Sequence, residues 1–275
     1  MIATLDRKLL HRLPLPGHEH ADGKEDRGRV MIVGGSPEVP GGAALAGLAA
    51  LRSGCGKLQI ATDAGLTRHM GLAIPEARVL SDEPERVKPL LDKCDAVAFG
   101  PGWVDEAQAA AKVKALCAGP GPPAVLDAAS LAGARFATGR RRALILTPHR
   151  GEMAALMEVE IGVVNAEPAA AARAAASRFG AHVALKGATT FIATPDGRLL
   201  RHDKGSLGLA TSGSGDVLTG LVAGLLARGA DPLAALAWAV FVHARAGERL
   251  TARIGPLGFL AREIIDEIPG VLAGG

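Results

Sequence analysis

The sequence predicts an α/β domain of three layers: helices on both faces of a mostly parallel central sheet, with an antiparallel hairpin at one edge. Three observations carry this. Short apolar runs lack the polar alternation of a half-exposed strand, so both of their faces must be covered, as in a parallel sheet between helices. Those runs alternate with Ala- and Leu-rich stretches of helical length, the order that builds doubly wound sheets. Residues 190–202 then break the alternation with two β-rich runs joined by Pro195-Asp196-Gly197, a hairpin turn.

In chain order, apolar strands are expected at 30–33, 58–61, 96–99, 124–126, 143–146 and 183–185. Helices are expected at 43–52, 105–117, 168–179, 217–228 and 232–250. The hairpin arms, 190–193 and 198–202, follow directly on the 183–185 strand and so extend one edge of the sheet. The run 217–227, bounded by Asp216 and Arg228, falls short of the ~18 residues of a membrane helix and reads as a buried helix. No internal repeat and no linker stands out, so residues 1–275 are expected to form one domain. Residues 1–25 have no clear period and read as a partly mobile N-terminal arm.

Composition narrows the function classes. With 275 residues, 48% hydrophobic and 21% charged, the chain is globular. At this length roughly three quarters of the unfolded surface can be buried, so no metal or disulfide is needed to hold a core. A net charge of +3 is not gathered into a stripe. The densest cluster, Arg140-Arg141-Arg142, reads as a solvated loop edge. Only 3% of residues are aromatic and none is Tyr, which argues against stacking platforms for single-stranded nucleic acid. Cys55, Cys94 and Cys117 form no CxxC pair and read as small buried hydrophobes in a reducing compartment. Residues 1–20 lack the apolar core of a signal peptide, so a cytoplasmic location and no membrane partner are expected.

The 36 glycines concentrate where ligands bind in such folds, beyond the carboxyl ends of strands. Gly34-Gly35-Ser36, Gly100-Pro101-Gly102 and Lys186-Gly187 each follow a strand, and Thr211-Ser212-Gly213-Ser214-Gly215-Asp216 opens the 217–227 helix. Without side chains at Gly213 and Gly215, main-chain amides can approach a phosphate, and the helix start adds orphan donors and partial positive charge. Asp216 is expected to stay ionised beside those donors and to take a proton from a substrate hydroxyl. Such a pairing of anion hole and carboxylate suits phosphoryl transfer. The alternative is an ordinary Gly-rich turn with an Asp cap. The chain holds neither GxxxxGK[ST] nor GxGxxG, which sets aside P-loop ATPases and dinucleotide dehydrogenases.

An ordered set of segments resembles the ADP- or ATP-dependent NAD(P)H-hydrate dehydratases of the ribokinase-like superfamily. They are Arg27-Gly28-Arg29-Val30-Met31-Ile32-Val33-Gly34-Gly35-Ser36, Gly42-Ala43-Ala44-Leu45, Gly100-Pro101-Gly102, Thr147-Pro148-His149-Arg150-Gly151-Glu152, Leu185-Lys186-Gly187-Ala188-Thr189-Thr190 and Gly213-Ser214-Gly215-Asp216-Val217-Leu218. The resemblance implies a ribokinase-like fold and a lyase of metabolite repair. In such an enzyme the hydroxyl of hydrated NADH or NADPH is phosphorylated by ADP or ATP, phosphate leaves, and the ring double bond returns. It also implies Mg²⁺, a homo-oligomer such as a tetramer, and functional coupling to an epimerase on a separate chain.

Carried over by resemblance, Asp216 is the catalytic base at the hydrate site, and Gly213, Ser214 and Gly215 form the anion hole. Lys186, Gly187, Ala188, Thr189 and Thr190 hold the adenine nucleotide, and Ala43, Gly102 and His149 line the hydrate site. Glu152 holds Mg²⁺ through water. Each has a structural alternative: His149 as a turn residue bonded to backbone, Glu152 as the first-turn acid of a helix, Ala43 as helix packing with only backbone contact. His243, on an apolar helix, reads as a core histidine and is left out of the site. Where the family has Asp-Ala-Asp-Ala-Leu this chain has Asp127-Ala128-Ala129-Ser130-Leu131, and Ser212 stands where Gly is common. The rival reading is a kinase of the same fold acting on a vitamin-precursor alcohol such as hydroxymethylpyrimidine or a thiazole alcohol.

Overall fold

Val30 and Ile32 face one side of the sheet, Met31 and Val33 the other, and all four are fully buried. That double burial is what the unbroken apolar run required. The computed structural model describes residues 2–17, 22–139 and 143–274. The cluster Arg140-Arg141-Arg142 and residues 18–20 of the N-terminal segment lie outside the described residues.

The strands are β1 (Ala3–Thr4), β2 (Arg29–Val33), β3 (Lys57–Thr62), β4 (Ala77–Ser81), β5 (Ala96–Phe99), β6 (Ala124–Leu126), β7 (Leu144–Leu146), β8 (His182–Leu185), β9 (Thr190–Ala193) and β10 (Leu199–His202). They form one sheet in the order β1-β10-β9-β8-β7-β6-β5-β2-β3-β4. The pairings β8–β9 and β9–β10 are antiparallel, and all others are parallel. The hairpin stands where the sequence put it, with β1 added outside it. The strand β4 and the helices Thr67–Ala73, Pro84–Leu91, Ile161–Ala166 and Ala261–Ala273 were not anticipated, while Arg150–Met157 is the helix whose first turn was expected to hold Glu152.

One helical layer holds Gly41–Arg52, Ser214–Ala227, Pro232–Arg253 and Ala261–Ala273, and the other holds Pro84–Leu91, Glu106–Leu116 and Pro168–Phe179. The chain runs outward through β2, β3 and β4, then returns to place β5 on the other side of β2. After β2 the chain enters the first layer, after β5 the second. The two connections therefore part at the carboxyl ends of β2 and β5, the switch point where open α/β sheets bind ligands. In the first layer the helices Gly41–Arg52 and Ser214–Ala227 touch backbone to backbone. A Cβ on Gly220 would lie 2.0 Å from the Ala46 carbonyl oxygen, so no larger residue fits there.

Two expectations need correction. The helix expected to begin at 217 begins at Ser214, which places Asp216 inside its first turn. The arm expected over residues 1–25 is built into the fold across residues 2–17. Ala3 and Thr4 pair with β10, Leu5 and Leu10 are buried, and Trp238 Nε1 donates to the Leu13 carbonyl at 2.7 Å. The arm escaped notice because it docks through isolated apolar residues and one strand of two residues, too short to show a period.

Candidate active site

The loop after β2 and the loop after β5 are stitched together: Gly35 N donates to the Pro101 carbonyl at 2.8 Å and Ser36 N to the Gly102 carbonyl at 3.1 Å. Behind them the Gly41–Arg52 helix comes so close that a Cβ on Gly42 would lie 2.4 Å from Gly102 N. Gly102 takes φ +73°, a conformation glycine adopts freely. The predicted contact residue Gly102 thus lies on the cleft floor, its amide near the carboxylate of Asp216. Ala43 does not reach the cleft. It is fully buried beneath Gly35, so it supports the turn and offers no surface to a ligand.

The glycine-rich turn opens the helix as its sequence led one to expect. Gly213 caps the Ser214–Ala227 helix with φ +86°, and Ser212 needs no positive φ, so its departure from Gly is harmless. The amides of Gly215 and Asp216 take no backbone acceptor among the described residues and stand at the positive end of the helix. Ser214 differs from expectation. Its amide donates to Thr211 O at 3.2 Å, its hydroxyl lies 3.0 Å from His243 Nε2, and it is buried. Ser214 therefore braces the loop from within and does not face an anion. Burial pushes the His243 imidazole down to about 4, so a neutral ring holds this turn.

Lys186 and Asp127 form the other half of the site. Lys186 Nζ lies 2.7 Å from Asp127 Oδ1 and 3.8 Å from Glu152 Oε2. Asp127, 3% exposed, also accepts from Thr147 Oγ1 at 2.9 Å and from Thr219 Oγ1 at 2.9 Å. Burial opposes the Lys186 charge, but Asp127, Glu152 and Asp216 together hold its pKa above the ordinary lysine value. A Cβ on Gly215 would lie 3.4 Å from Lys186 Nζ, so the ammonium sits directly beside the unpaired amides. Sequence reasoning missed Asp127, Thr147 and Thr219, although Asp127 directly follows a predicted strand. Just beyond it Ala128 holds φ +50°, a strained setting for a residue with a Cβ. Ser130 Oγ completes the turn, accepting from Asp127 N at 3.0 Å and donating to Phe99 O at 2.8 Å.

Asp216 departs from the firmly ionised group expected. Burial, and next the negative charge of Asp127, push its carboxyl up to about 6; Lys186 and the Gly102 amide pull it back. A carboxylate so placed is a better proton acceptor near neutral pH than a solvated one.

His149 and Glu152 take their structural roles as a capping box. His149 Nδ1 accepts from Gly151 N at 3.0 Å and Glu152 N at 3.1 Å, while Glu152 Oε2 accepts from His149 N at 2.6 Å. An accepting Nδ1 leaves the proton on Nε2. His149 also bridges Lys186 through the backbone, and Lys186 N donates to Pro148 O at 2.8 Å. Beyond Lys186, Gly187 and Ala188 are exposed at the tip of the turn, Thr189 Oγ1 donates to Asp203 Oδ1 at 3.1 Å, and Thr190 starts β9. The turn begins at Lys186, whose ammonium borders the Gly213–Asp216 loop.

Among the described residues no group of three His, Cys, Asp or Glu side chains could cage a metal. A divalent cation here would take phosphate oxygens and water for most of its ligands, as Mg²⁺ commonly does. No helix is long and apolar enough to cross a membrane, again among the described residues.

Comparison with known proteins agrees with this geometry. A family profile described as NAD(P)H-hydrate dehydratase matches residues 30–270. The chain is 48% identical to an ADP-dependent (S)-NAD(P)H-hydrate dehydratase of Xanthomonas campestris pv. campestris, over 94% of this chain and 92% of the relative. It is 36% identical to a bifunctional NAD(P)H-hydrate repair enzyme of Moorella thermoacetica, over 99% of this chain but 55% of that protein. The fold superposes with a TM-score of 0.90, at 30% identity, on an ADP/ATP-dependent NAD(P)H-hydrate dehydratase of Bacillus subtilis co-crystallised with ATP and Mg²⁺, covering 99% of this chain and 98% of the other.

Proposed function

The chain belongs to the NAD(P)H-hydrate dehydratase family, and from that premise we propose how its own residues remove water from hydrated NADH or NADPH with ADP or ATP as phosphoryl donor. Hydroxide is a poor leaving group and phosphate a good one, so the hydroxyl must first be phosphorylated. The nucleotide and its divalent cation supply the phosphoryl group and its charge neutralisation. Asp216 orients the hydrate hydroxyl and takes its proton as the new P–O bond forms and the bond from that phosphorus to the donor's bridging oxygen breaks, releasing AMP from ADP or ADP from ATP. The amides of Gly213 and Gly215 and the Lys186 ammonium stabilise the charge on the transferring group. Once phosphate departs, the ring loses a neighbouring proton and its double bond returns.

The remaining contacts follow from position. The 186–190 turn holds the donor nucleotide, Gly102 and the exposed ring of His149 line the hydrate site, and Glu152 holds Mg²⁺ through water. Asp127 aims Lys186. The observation that carries the reading is Asp216 itself: a carboxyl raised to about 6, in the first turn of a helix where the amides of Gly215 and Asp216 have no backbone acceptor among the described residues, near a lysine held charged.

We read residues 1–275 as one domain working in the cytoplasm, with its three cysteines reduced and buried, and as a homo-oligomer. The chain spans about half the length of the bifunctional relatives (55% of the Moorella protein). Functional coupling to an epimerase that interconverts the hydrate epimers completes the reading. The test is an assay with hydrated NADH or NADPH plus ADP or ATP, following the return of reduced-nicotinamide absorbance. Turnover of a thiazole or hydroxymethylpyrimidine alcohol without any such return would establish the rival kinase.

A further inference from the structure

The donor nucleotide, on the proposed reading, fills the side of the cleft walled by Lys186 and the anion loop. The dinucleotide substrate is far larger than the ring that reacts at Asp216. Its remaining ribose, pyrophosphate and adenosine must leave by the opposite side, across Gly102. A cavity of about 180 Å³ opens there, at the carboxyl ends of β2, β3 and β5 and at the switch point of the sheet. Gly35 and Trp103 belong to its wall, so it continues the loops that floor the active site.

Its lining is divided. Trp103, Val104 and Ala109 give an apolar floor, and Val104 is half exposed. Three carboxylates stand around it: Glu38, Asp63 and Asp105. Asp63 accepts from Gly65 N at 2.8 Å, and Asp105 accepts from Gln108 N and Gln108 Nε2, each at 3.0 Å. Glu38, on an exposed loop, has no hydrogen bond or ion pair among the described residues and keeps its acceptors for a ligand. The one cation of the lining, Lys112, is already paired with Asp82 and lies over the Trp103 ring at 5.4 Å. The cavity is thus acidic overall. A carboxylate at such a place accepts from the vicinal hydroxyls of a ribose, whereas a ribose phosphate there meets like charge with no free cation to answer it.

We propose that this cavity receives the adenosine ribose of the substrate, with Glu38 accepting from its hydroxyls, and that the enzyme therefore prefers hydrated NADH to hydrated NADPH. The inference rests on the dehydratase reading and names the substrate of that same site.

Two measurements test it. In the first, kcat/KM is compared for the two hydrates in wild type, Glu38→Gln and Glu38→Arg. Wild type should favour hydrated NADH by about tenfold or more, mainly through KM, and added salt should narrow the gap. Glu38→Gln should reduce the preference and Glu38→Arg abolish or invert it, with kcat for hydrated NADH little changed. In the second, calorimetry with NAD and NADP as probes should show NAD binding more tightly, and Glu38→Arg should reverse the order. Glu38 is exposed and makes no bond among the described residues, so neither variant threatens folding. Equal or better use of hydrated NADPH, or a preference indifferent to both Glu38 variants, overturns the inference and leaves the dehydratase reading intact. Turnover of neither hydrate overturns both.

Discussion

Lys186 Nζ meets Asp127 Oδ1 at 2.7 Å across 59 residues of sequence, and that pair fixes the ammonium beside Gly215. Lys186 comes from the end of β8 and Asp127 from the end of β6, so the sheet itself aligns them. Thr147 on Oδ1 and Thr219 on Oδ2 hold the Asp127 carboxylate, and the ammonium on Oδ1 lies beside Gly215.

Removing one partner should therefore cost more than removing both. In Lys186→Met the Asp127 carboxylate stays buried without its cation, a loss of about 3 kcal/mol. In Lys186→Met with Asp127→Asn, part of that loss should return. Denaturant unfolding of the single and double variants measures the coupling. Both should raise the KM for ADP strongly, because neither presents a charge to the phosphates.

The acid limb of the kcat/KM profile should lie near pH 6, the value to which burial and Asp127 push Asp216. Below it the base carries its proton and activity should fall about tenfold per pH unit. Replacing Asp127 by Asn removes a negative neighbour, so the limb should move to lower pH even as the maximal rate drops. A limb that stays in place would show that another group sets it.

Asp216→Asn should lose turnover by about 10³-fold while the nucleotide still binds. The same change should stabilise the fold. The native carboxyl titrates near 6, above the ordinary value of about 3.9. The folded state thus holds this proton more tightly than the unfolded chain. Its ionised form penalises folding fully above about pH 6, and the penalty vanishes below about pH 4. At pH 7.5 the variant should gain on the order of 2 kcal/mol, and at pH 4 nothing. Thermal unfolding at the two values checks the sign.

How far the sequence could be read depended on how local each signal was. The strands at Ala96–Phe99 and Ala124–Leu126 were legible to the residue, because burial on both faces leaves an unbroken apolar run. The strand Ala77–Ser81 was not, since it lies at the edge and carries Arg78 on an exposed position. The helix Pro84–Leu91 hid behind two prolines, one at its first position and Pro89 inside. At the site, Gly213–Asp216 was readable because four adjacent residues build the helix mouth. Asp127 was not, for its partners Lys186 and Thr219 lie 59 and 92 residues away and no short pattern joins them. Ser214 misled for a related reason: nothing in the motif tells which of its groups turns inward to His243.

Gly215 and Gly220 sit five residues apart on one helix, yet they should answer opposite questions when replaced by Ala. Gly215 has ordinary helical φ, and a Cβ there would meet Lys186 Nζ at 3.4 Å and Asp127 Oδ2 at 3.6 Å, normal contact distances. Ala is also the better helix former by about 1 kcal/mol. Gly215→Ala should therefore fold at least as well as the parent. Its methyl group, however, occupies the space through which a phosphate would reach the amide and the ammonium, so the KM for ADP should rise about tenfold or more. At Gly220 a Cβ would fall 2.0 Å from the Ala46 carbonyl oxygen, in the seam between two buried helices. Gly220→Ala should lose stability heavily or fail to fold, with no selective effect on nucleotide in what survives. Steady-state kinetics and thermal unfolding on the two variants would separate the anion hole from its scaffold, and a Gly215→Ala enzyme with an unaltered KM for ADP would place the phosphates elsewhere.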